Sequence, residues 1–200
     1  DGYRYNGKDI DKTADSAELA GLLEGLSCHI VVGDPSRQPA RGIEILSYEN
    51  AIASNSQAQS DVPDADIPVL QISLPTLDPA QLLNLGRRLA PLRDEGVLII
   101  GSGFTTHGLP YLTDPSPDAA PPSWSSEFDA WAHERFAAGD VESLIDFRRT
   151  APGMPYAHPT IEHFAPLFVA LGASDDPEQQ ADQVIDGFWM GLAKRSLVLA

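Results

Sequence analysis

Two short segments of the sequence carry histidines in settings that suit metal binding or proton transfer. The first segment runs from Gly101 to His107 and follows an apolar stretch of strand length. In open α/β sheets ligands bind where strands end, and glycines there let the backbone approach a ligand closely. His107 is therefore a candidate to project into a crevice, although a histidine that merely fills a loop fits the same context.

The second segment is Tyr156-Ala157-His158-Pro159-Thr160-Ile161-Glu162-His163-Phe164. Pro159 and Thr160 indicate a helix start, which predicts that His163 lies in the first turn and that both histidines can face a common centre. Neutral imidazole is a common ligand of zinc and non-haem iron, and a carboxylate such as Glu162 can orient the second ring nitrogen. The alternative is a helix-start histidine with a local hydrogen bond.

Other segments give no strong sign of chemistry. The run Gly101-Ser102-Gly103 lacks the further glycine of a dinucleotide fingerprint and the Gly-Lys-Ser/Thr of a phosphate-binding loop. No Gly-x-Ser-x-Gly elbow supports a serine hydrolase. His133 is predicted to be a solvated residue of an amphipathic helix, and His29 receives no role. The aromatic residues at positions 124, 128, 131 and 136 have helical spacing and are expected in the core.

The elements that must position these histidines indicate an α/β fold. Residues 67–74 are rich in β-branched side chains, Asp78-Pro79 is a helix start, and residues 97–100 form the next apolar run. Strand, helix and strand in this order predict a βαβ unit. We therefore expect a single domain over residues 1–200, with a central, mostly parallel or mixed sheet flanked by helices.

The remaining elements follow from the apolar periodicity of the chain. Residues 47–66 are rich in Ser, Asn, Gln and Asp, which predicts a polar loop or insertion. A strand is expected over residues 29–32. Further helices are predicted over residues 16–26, 78–93, 124–138, 140–149 and 160–171, and closing strands over residues 184–190 and 195–199.

The composition narrows the classes of partner. The chain has 200 residues, 42% of them hydrophobic, and a formal net charge of −16. Such an acidic protein is repelled by nucleic-acid phosphates and by anionic membranes, so a small molecule or a protein is the expected partner. Cys28 is the single cysteine, which excludes an intrachain disulfide, and no apolar run approaches the roughly 20 residues of a membrane span. A soluble, cytoplasmic protein is expected, and the oligomeric state is left open.

Several motifs together resemble the LigB-type (class III) extradiol ring-cleavage dioxygenases, in the branch that includes the DOPA dioxygenases. Their order and spacing match from about residue 62 to the end of the chain. The His-Pro-Thr-x-Glu-His pattern is the most specific of them. The matching segments are residues 63–73, 101–103 with His107, 128–131, 158–160 with Glu162-His163, and 191–196.

This resemblance implies an α/β fold that holds one divalent metal, Fe(II) or Zn(II), and cleaves a catechol ring beside its two hydroxyl groups with dioxygen. It implies that His107 and His158 occupy positions at the metal. By the same resemblance, His163 matches a pocket histidine that binds the substrate or moves a proton. A catechol and dioxygen are the implied partners, with no nucleic acid and no membrane.

The sequence departs from the family pattern in its N-terminal part. The family has a His-Gly-Ser/Ala-Pro-like segment, a Ser-Ala-His-Trp-like segment and an Asp-His-Gly motif, none of which is found, and Ile43-Glu44-Ile45-Leu46 stands where the last is expected. If Asp1 is internal to a longer protein, the first two lie upstream. The alternatives are a non-catalytic homologue with an incomplete metal site and, as a third hypothesis, a metal-dependent hydrolase.

Overall fold

The computed structural model describes residues 69–199, together with the backbone of four shorter strands nearer the N-terminus. These strands are β1 (Arg4–Tyr5), β2 (Lys8–Asp9), β3 (His29–Val32) and β4 (Arg41–Leu46). Side chains are described from Ile72 onward. The helix predicted over residues 16–26 and the polar segment 47–66 lie outside the described residues.

The largest sheet of the described part has six strands of mixed direction. It is formed by β3, β4, β5 (Val69–Ser73), β6 (Val97–Ser102), β7 (Asp182–Ile185) and β10 (Ser196–Leu199), in the order β5-β4-β6-β3-β10-β7. Strand β4 is parallel to both β5 and β6, and β10 is parallel to β3. The β3–β6 and β7–β10 pairs are antiparallel. Strand β6, which leads to His107, is buried along its whole length.

Helix α1 (Pro79–Leu89) begins where the sequence predicts. The side chain of Asp78 accepts a hydrogen bond from the backbone N–H of Gln81, and Pro79 occupies the first turn, where its missing N–H costs nothing. Leu82 and Leu83 are buried, and a 3₁₀ turn over residues 90–95 leads into β6. Strand β5, α1 and β6 thus form a βαβ unit with β4 inserted between its strands.

The later helices are α2 (Ser123–Ala138), α3 (Val141–Ile145), α4 (Phe147–Thr150) and α5 (Pro166–Ala173). Every residue of α5 is buried, because this helix packs against both α1 and the sheet. Gly86 on α1 permits the close approach, since a Cβ atom there would lie 2.1 Å from the backbone oxygen of Val169. Helix α5 is therefore a fixed core element directly after the second histidine segment.

A buried ion pair joins α2 to the C-terminal part of the chain. The guanidinium of Arg195 donates two hydrogen bonds to the carboxylate of Asp129, of 3.0 and 2.7 Å. Both side chains are nearly enclosed, with relative exposures of 7% and 10%. Arg195 lies between β10 and a small hairpin formed by β8 (Phe188–Trp189) and β9 (Leu192–Ala193).

The expectation of an α/β chain is confirmed, and of the two sheet types expected the strand directions show the mixed one, with three parallel and two antiparallel strand pairs. The helix predicted over residues 160–171 begins only at Pro166, because residues 161–165 form turns instead. His163 therefore lies before the helix, and its placement in a first helical turn was wrong. A single domain over residues 1–200 stays a prediction. In the described part of the chain, no helix has the length and apolar character needed to cross a bilayer.

We expect Gly86→Ala to destabilise the protein although alanine is the better helix former. The added methyl group would overlap the backbone of α5, and such overpacking typically costs about 1–3 kcal/mol. Denaturant unfolding, compared with Gln81→Ala on the exposed side of the same helix, measures the effect. Equal stability of the two variants would show that the helices separate without cost.

Candidate functional site

Two loops that are distant in sequence pack against each other beyond the end of β6. One is the strand-end loop, which we define as residues 103–108, and the other is the histidine loop, residues 156–163. The backbone N–H of His107 donates a 2.7 Å hydrogen bond to the carbonyl of Ala157. The imidazole Nε2 of His158 lies 2.7 Å from the carbonyl oxygen of Thr105. These two contacts fix the register of one loop on the other.

Two glycines allow this contact between the loops. A Cβ atom on Gly103 would lie 2.0 Å from the backbone oxygen of His163, and one on Gly108 would lie 2.2 Å from that of Tyr156. Any side chain at either position would push the strand-end loop away from the histidine loop. The glycines that the sequence places around His107 therefore serve loop packing, besides any role in approaching a ligand.

The loop contact stacks the imidazoles of His107 and His163. Their ring centroids are 3.4 Å apart and the planes are inclined by 25°. His163 is buried, whereas His107 is half-buried. Two of the three histidines singled out from the sequence thus meet face to face, one from each loop.

Glu162 completes a group of three possible metal ligands with these histidines. One ligand atom from each of His107, Glu162 and His163 lies within 4.8 Å of the other two. The hydroxyl of Thr160 donates a 2.6 Å hydrogen bond to Oε1 of Glu162, which orients the carboxylate. The sequence suggested Glu162 only as an orienting partner. Its position next to His163 was the available signal for a ligand role.

The donor types of this group fit a divalent non-haem metal. Two imidazoles and one carboxylate form the ligand set that commonly binds Fe(II) while leaving positions open for substrates, and zinc also accepts these donors. In protein metal sites, a carboxylate ligand commonly accepts a hydrogen bond from a residue that does not itself bind the metal, and Thr160 donates such a bond to Glu162. The three residues could therefore hold one metal ion.

The surroundings of His163 keep its imidazole uncharged. Burial, the largest cause, and the proximity of His107 together lower the pKa of His163 from its usual 6.5 to about 4, and the Glu162 carboxylate partly opposes this shift. At neutral pH the His163 ring is consequently uncharged. An uncharged imidazole can offer a lone pair to a metal, whereas a protonated imidazole cannot.

His158 is placed differently from the other two histidines. Its ring lies among the aromatic side chains of Phe128, Phe147 and Phe164, with centroid distances of 4.9, 6.0 and 5.2 Å. A carbonyl oxygen can only accept hydrogen bonds, so Nε2 of His158 carries the hydrogen and donates a hydrogen bond to the carbonyl of Thr105. The other ring nitrogen, Nδ1, is buried and has no hydrogen-bond partner for its lone pair. Within the described residues, no group of three possible ligands includes His158. Its role at a metal stays a prediction that this geometry does not favour.

Burial also dominates the protonation of His158. It lowers the pKa of His158 from 6.5 to about 3, with the hydrogen bond to Thr105 opposing the shift. The remaining histidine with a described side chain, His133, is exposed, with Nδ1 2.7 Å from Oε1 of Gln183. That exposure agrees with the surface position expected for His133.

A small, mostly apolar cavity borders His163 on the side of the core. Arg195, already paired with Asp129, contributes to its wall, so the cavity is not purely hydrocarbon. The other lining residues are Gly103, Phe104, Thr105, Phe136, Phe164, Leu167 and Leu197. One residue of the candidate metal group, His163, therefore also lines this cavity.

Comparison with known proteins places this geometry in a family. Residues 55–186 match the family described as "Catalytic LigB subunit of aromatic ring-opening dioxygenase". The matched range contains both loops and all three residues of the candidate metal group. The two histidine segments thus lie within the part of the chain that matches the family.

Curated relatives agree with this match. The chain is 43% identical over 130 residues to a protein of Beta vulgaris named "4,5-DOPA dioxygenase extradiol", covering 64% of this chain and 47% of the relative. It is 36% identical over 120 residues to a protein of the same name from Escherichia coli K12, covering 58% and 44%. The chain thus spans about half the length of the curated relatives it matches.

A solved structure supports the fold alone. An uncharacterized protein of Escherichia coli K12 superposes with a TM-score of 0.65 at 20% sequence identity. The similarity covers 84% of this chain and 98% of that protein.

We expect the metal-free protein to lose stability on acidification, partly through His158. The unfolded chain protonates this ring near pH 6.5 and the folded chain only near 3, so the unfolded state binds more protons between these values. The free energy of unfolding should therefore fall by up to about 1.4 kcal/mol per pH unit as pH decreases through this window. His158→Gln removes the titration and keeps an N–H group for Thr105. Denaturant unfolding at pH 7 and pH 5 should show a shallower pH dependence in this variant, and an unchanged dependence would contradict the assignment.

Proposed function

This chain belongs to the LigB family of aromatic ring-opening dioxygenases, in its DOPA-dioxygenase-like branch, and from that membership we propose that it opens a catechol ring by extradiol cleavage. The proposed co-substrate is dioxygen, and the proposed cofactor is one divalent ion, Fe(II) or Zn(II). The observation that carries the proposal is the convergence of His107, Glu162 and His163, whose ligand atoms lie within 4.8 Å of one another. Because the chain spans only about half of its curated relatives, the activity is proposed and not transferred.

His107, Glu162 and His163 are the residues that we propose to hold the metal. When bound, either divalent ion would supply Lewis-acid activation of the two catechol hydroxyls, and Fe(II), unlike the redox-inert Zn(II), would also offer a binding place for dioxygen. Glu162 balances part of the ion's charge, and Thr160 fixes the direction of its carboxylate. This assignment keeps His107 from the ligands expected from the sequence and puts Glu162 and His163 in the place of His158.

The low pKa of His163 favours a ligand role over a proton-transfer role. An effective general base has a pKa near the working pH, and that of His163 is lowered to about 4. The proton-transfer role predicted from the family resemblance stays a prediction. It requires a change in the surroundings of His163 once a substrate is bound.

His158 is proposed as a positioning residue. Its hydrogen bond to Thr105 holds the strand-end loop, which carries His107, against the histidine loop. The alternative, in which His158 binds the metal through Nδ1, would require that buried lone pair to become accessible. Variants of Glu162 and His158 distinguish a metal held by Glu162 from a metal held by His158.

Metal binding by the purified chain tests the proposal. We expect the wild-type protein to bind about one equivalent of Fe(II) or Zn(II) by equilibrium dialysis with elemental analysis. Glu162→Gln, which keeps size and removes charge, should weaken binding by at least about 100-fold, and Thr160→Val, which only releases the carboxylate, by about 10-fold. Glu178→Gln makes the same chemical change at an exposed position and should have no effect.

The catalytic part is measured as dioxygen uptake by the Fe(II)-loaded and Zn(II)-loaded protein with a catechol such as DOPA. Uptake coupled to loss of the catechol, and its loss in Glu162→Gln, would support ring cleavage. A folded protein that binds no metal and consumes no dioxygen would instead support a non-catalytic homologue. If His158→Gln lost the metal and Glu162→Gln kept it, the result would support the alternative in which His158 binds the metal through Nδ1.

A further inference from the structure

A chain of aromatic rings extends from the candidate metal group to the protein surface. The ring of Phe104 lies 6.0 Å from that of His107 and 6.5 Å from that of His163, measured between centroids. On its other side, Phe104 lies 6.4 Å from the indole of Trp189. These separations are typical of interacting aromatic pairs. The two histidines therefore continue into a surface formed by Phe104 and Trp189, which we call the aromatic wall.

Trp189 is the most exposed of the three tryptophans of the chain. Its relative exposure is 43%, whereas Trp124 and Trp131 pack against the hydrophobic core. A large aromatic side chain left open beside a group of polar side chains is characteristic of ligand-binding clefts. The exposed indole therefore marks a surface that a flat apolar group can cover.

The hairpin that carries Trp189 is held firmly against the strand-end loop. The backbone N–H of Ala193 donates a 2.7 Å hydrogen bond to the hydroxyl of Thr106, which is fully buried and lies 2.8 Å from that of Ser125. On the opposite side, the N–H of Met190 donates to the carbonyl of Pro117. Trp189 is thus fixed relative to His107 by contacts on both sides of the hairpin.

The turn of this hairpin has a left-handed backbone conformation. Met190, directly after Trp189, has a φ of 55°, in the left-handed region that non-glycine residues seldom occupy. Among the described residues it is the one non-glycine residue with positive φ. Met190 and Gly191 are the two central residues of the hairpin turn, and positive φ at both positions is what the favoured two-residue hairpin turn requires. The turn thereby determines the position of Trp189 at the end of β8.

We propose that Phe104 and Trp189 form the binding surface for the aromatic ring of an ortho-diphenol whose hydroxyl groups face His107 and His163. The inference rests on the proposed function and names the substrate subsite. A catechol offers two hydroxyls on one edge and a flat apolar face, and the protein offers ligands on one side and an aromatic wall beside them. An aliphatic diol could reach the same ligands without covering the wall, so the wall selects aromatic over aliphatic diols.

Binding measured without dioxygen separates this inference from catalysis. The Zn(II)-loaded protein is titrated calorimetrically with catechol and with cis-1,2-cyclohexanediol under anaerobic conditions. The wild type should prefer catechol, and Trp189→Ala should raise its dissociation constant by about 10-fold while leaving that of the aliphatic diol unchanged. Trp189→Phe should restore catechol binding to within about threefold. Leu77→Ala, at a comparably exposed apolar residue, is the control and should bind catechol as the wild type does.

The inference is overturned if Trp189→Ala binds catechol as the wild type does, or if both diols weaken equally. The Trp189→Phe variant guards against a misfolded hairpin, because it keeps an aromatic ring. Trp189-dependent catechol binding without dioxygen uptake would contradict the proposed function and leave the subsite intact. Dioxygen uptake with an unchanged KM for catechol in Trp189→Ala would support the proposed function and contradict the subsite.

Discussion

The contact between the strand-end loop and the histidine loop is the constraint on which the candidate site depends. His107 and His163 are 56 positions apart in sequence, and nothing local brings their rings together. Two hydrogen bonds, from the backbone of His107 to Ala157 and from the ring of His158 to Thr105, hold the loops in register. The absence of side chains at Gly103 and Gly108 lets the backbones touch. Each loop is anchored in turn, one by the buried strand β6 and the other by the buried helix α5.

The same contact determines the protonation of the site. It buries His163 against His107 and encloses His158 among phenylalanines, so desolvation holds both rings uncharged at neutral pH. The chain as a whole is strongly acidic, and the candidate site combines the imidazole of His107 and the uncharged imidazole of His163 with the carboxylate of Glu162. A divalent cation would balance the negative charge of the Glu162 carboxylate in such a donor set. The burial of His163 and the metal site that we propose would therefore result from the same packing arrangement.

Much of the described fold could be predicted from the sequence, because its signals are local. The Asp78-Pro79 cap, the apolar run of β6 and the periodicity of α2 each act within a few residues, and each element lies where it was expected. The helix before His163 was predicted wrongly, since Pro159 and Thr160 resemble a helix start but the chain turns until Pro166. The sequence suggested Glu162 only as an orienting partner for a histidine. The turn conformation of residues 161–165 brings its carboxylate close to two imidazoles, which a short local pattern does not reveal.

The most direct test of the account is the position of a bound metal in crystals of the protein soaked with Fe(II) under anaerobic conditions. Anomalous diffraction at the iron absorption edge locates the ion without assumptions about its ligands. We expect a single strong peak between the side chains of His107, Glu162 and His163, with the ring of His158 still hydrogen-bonded to Thr105. A peak at Nδ1 of His158, or a strong peak that Glu162 does not contact, would contradict it.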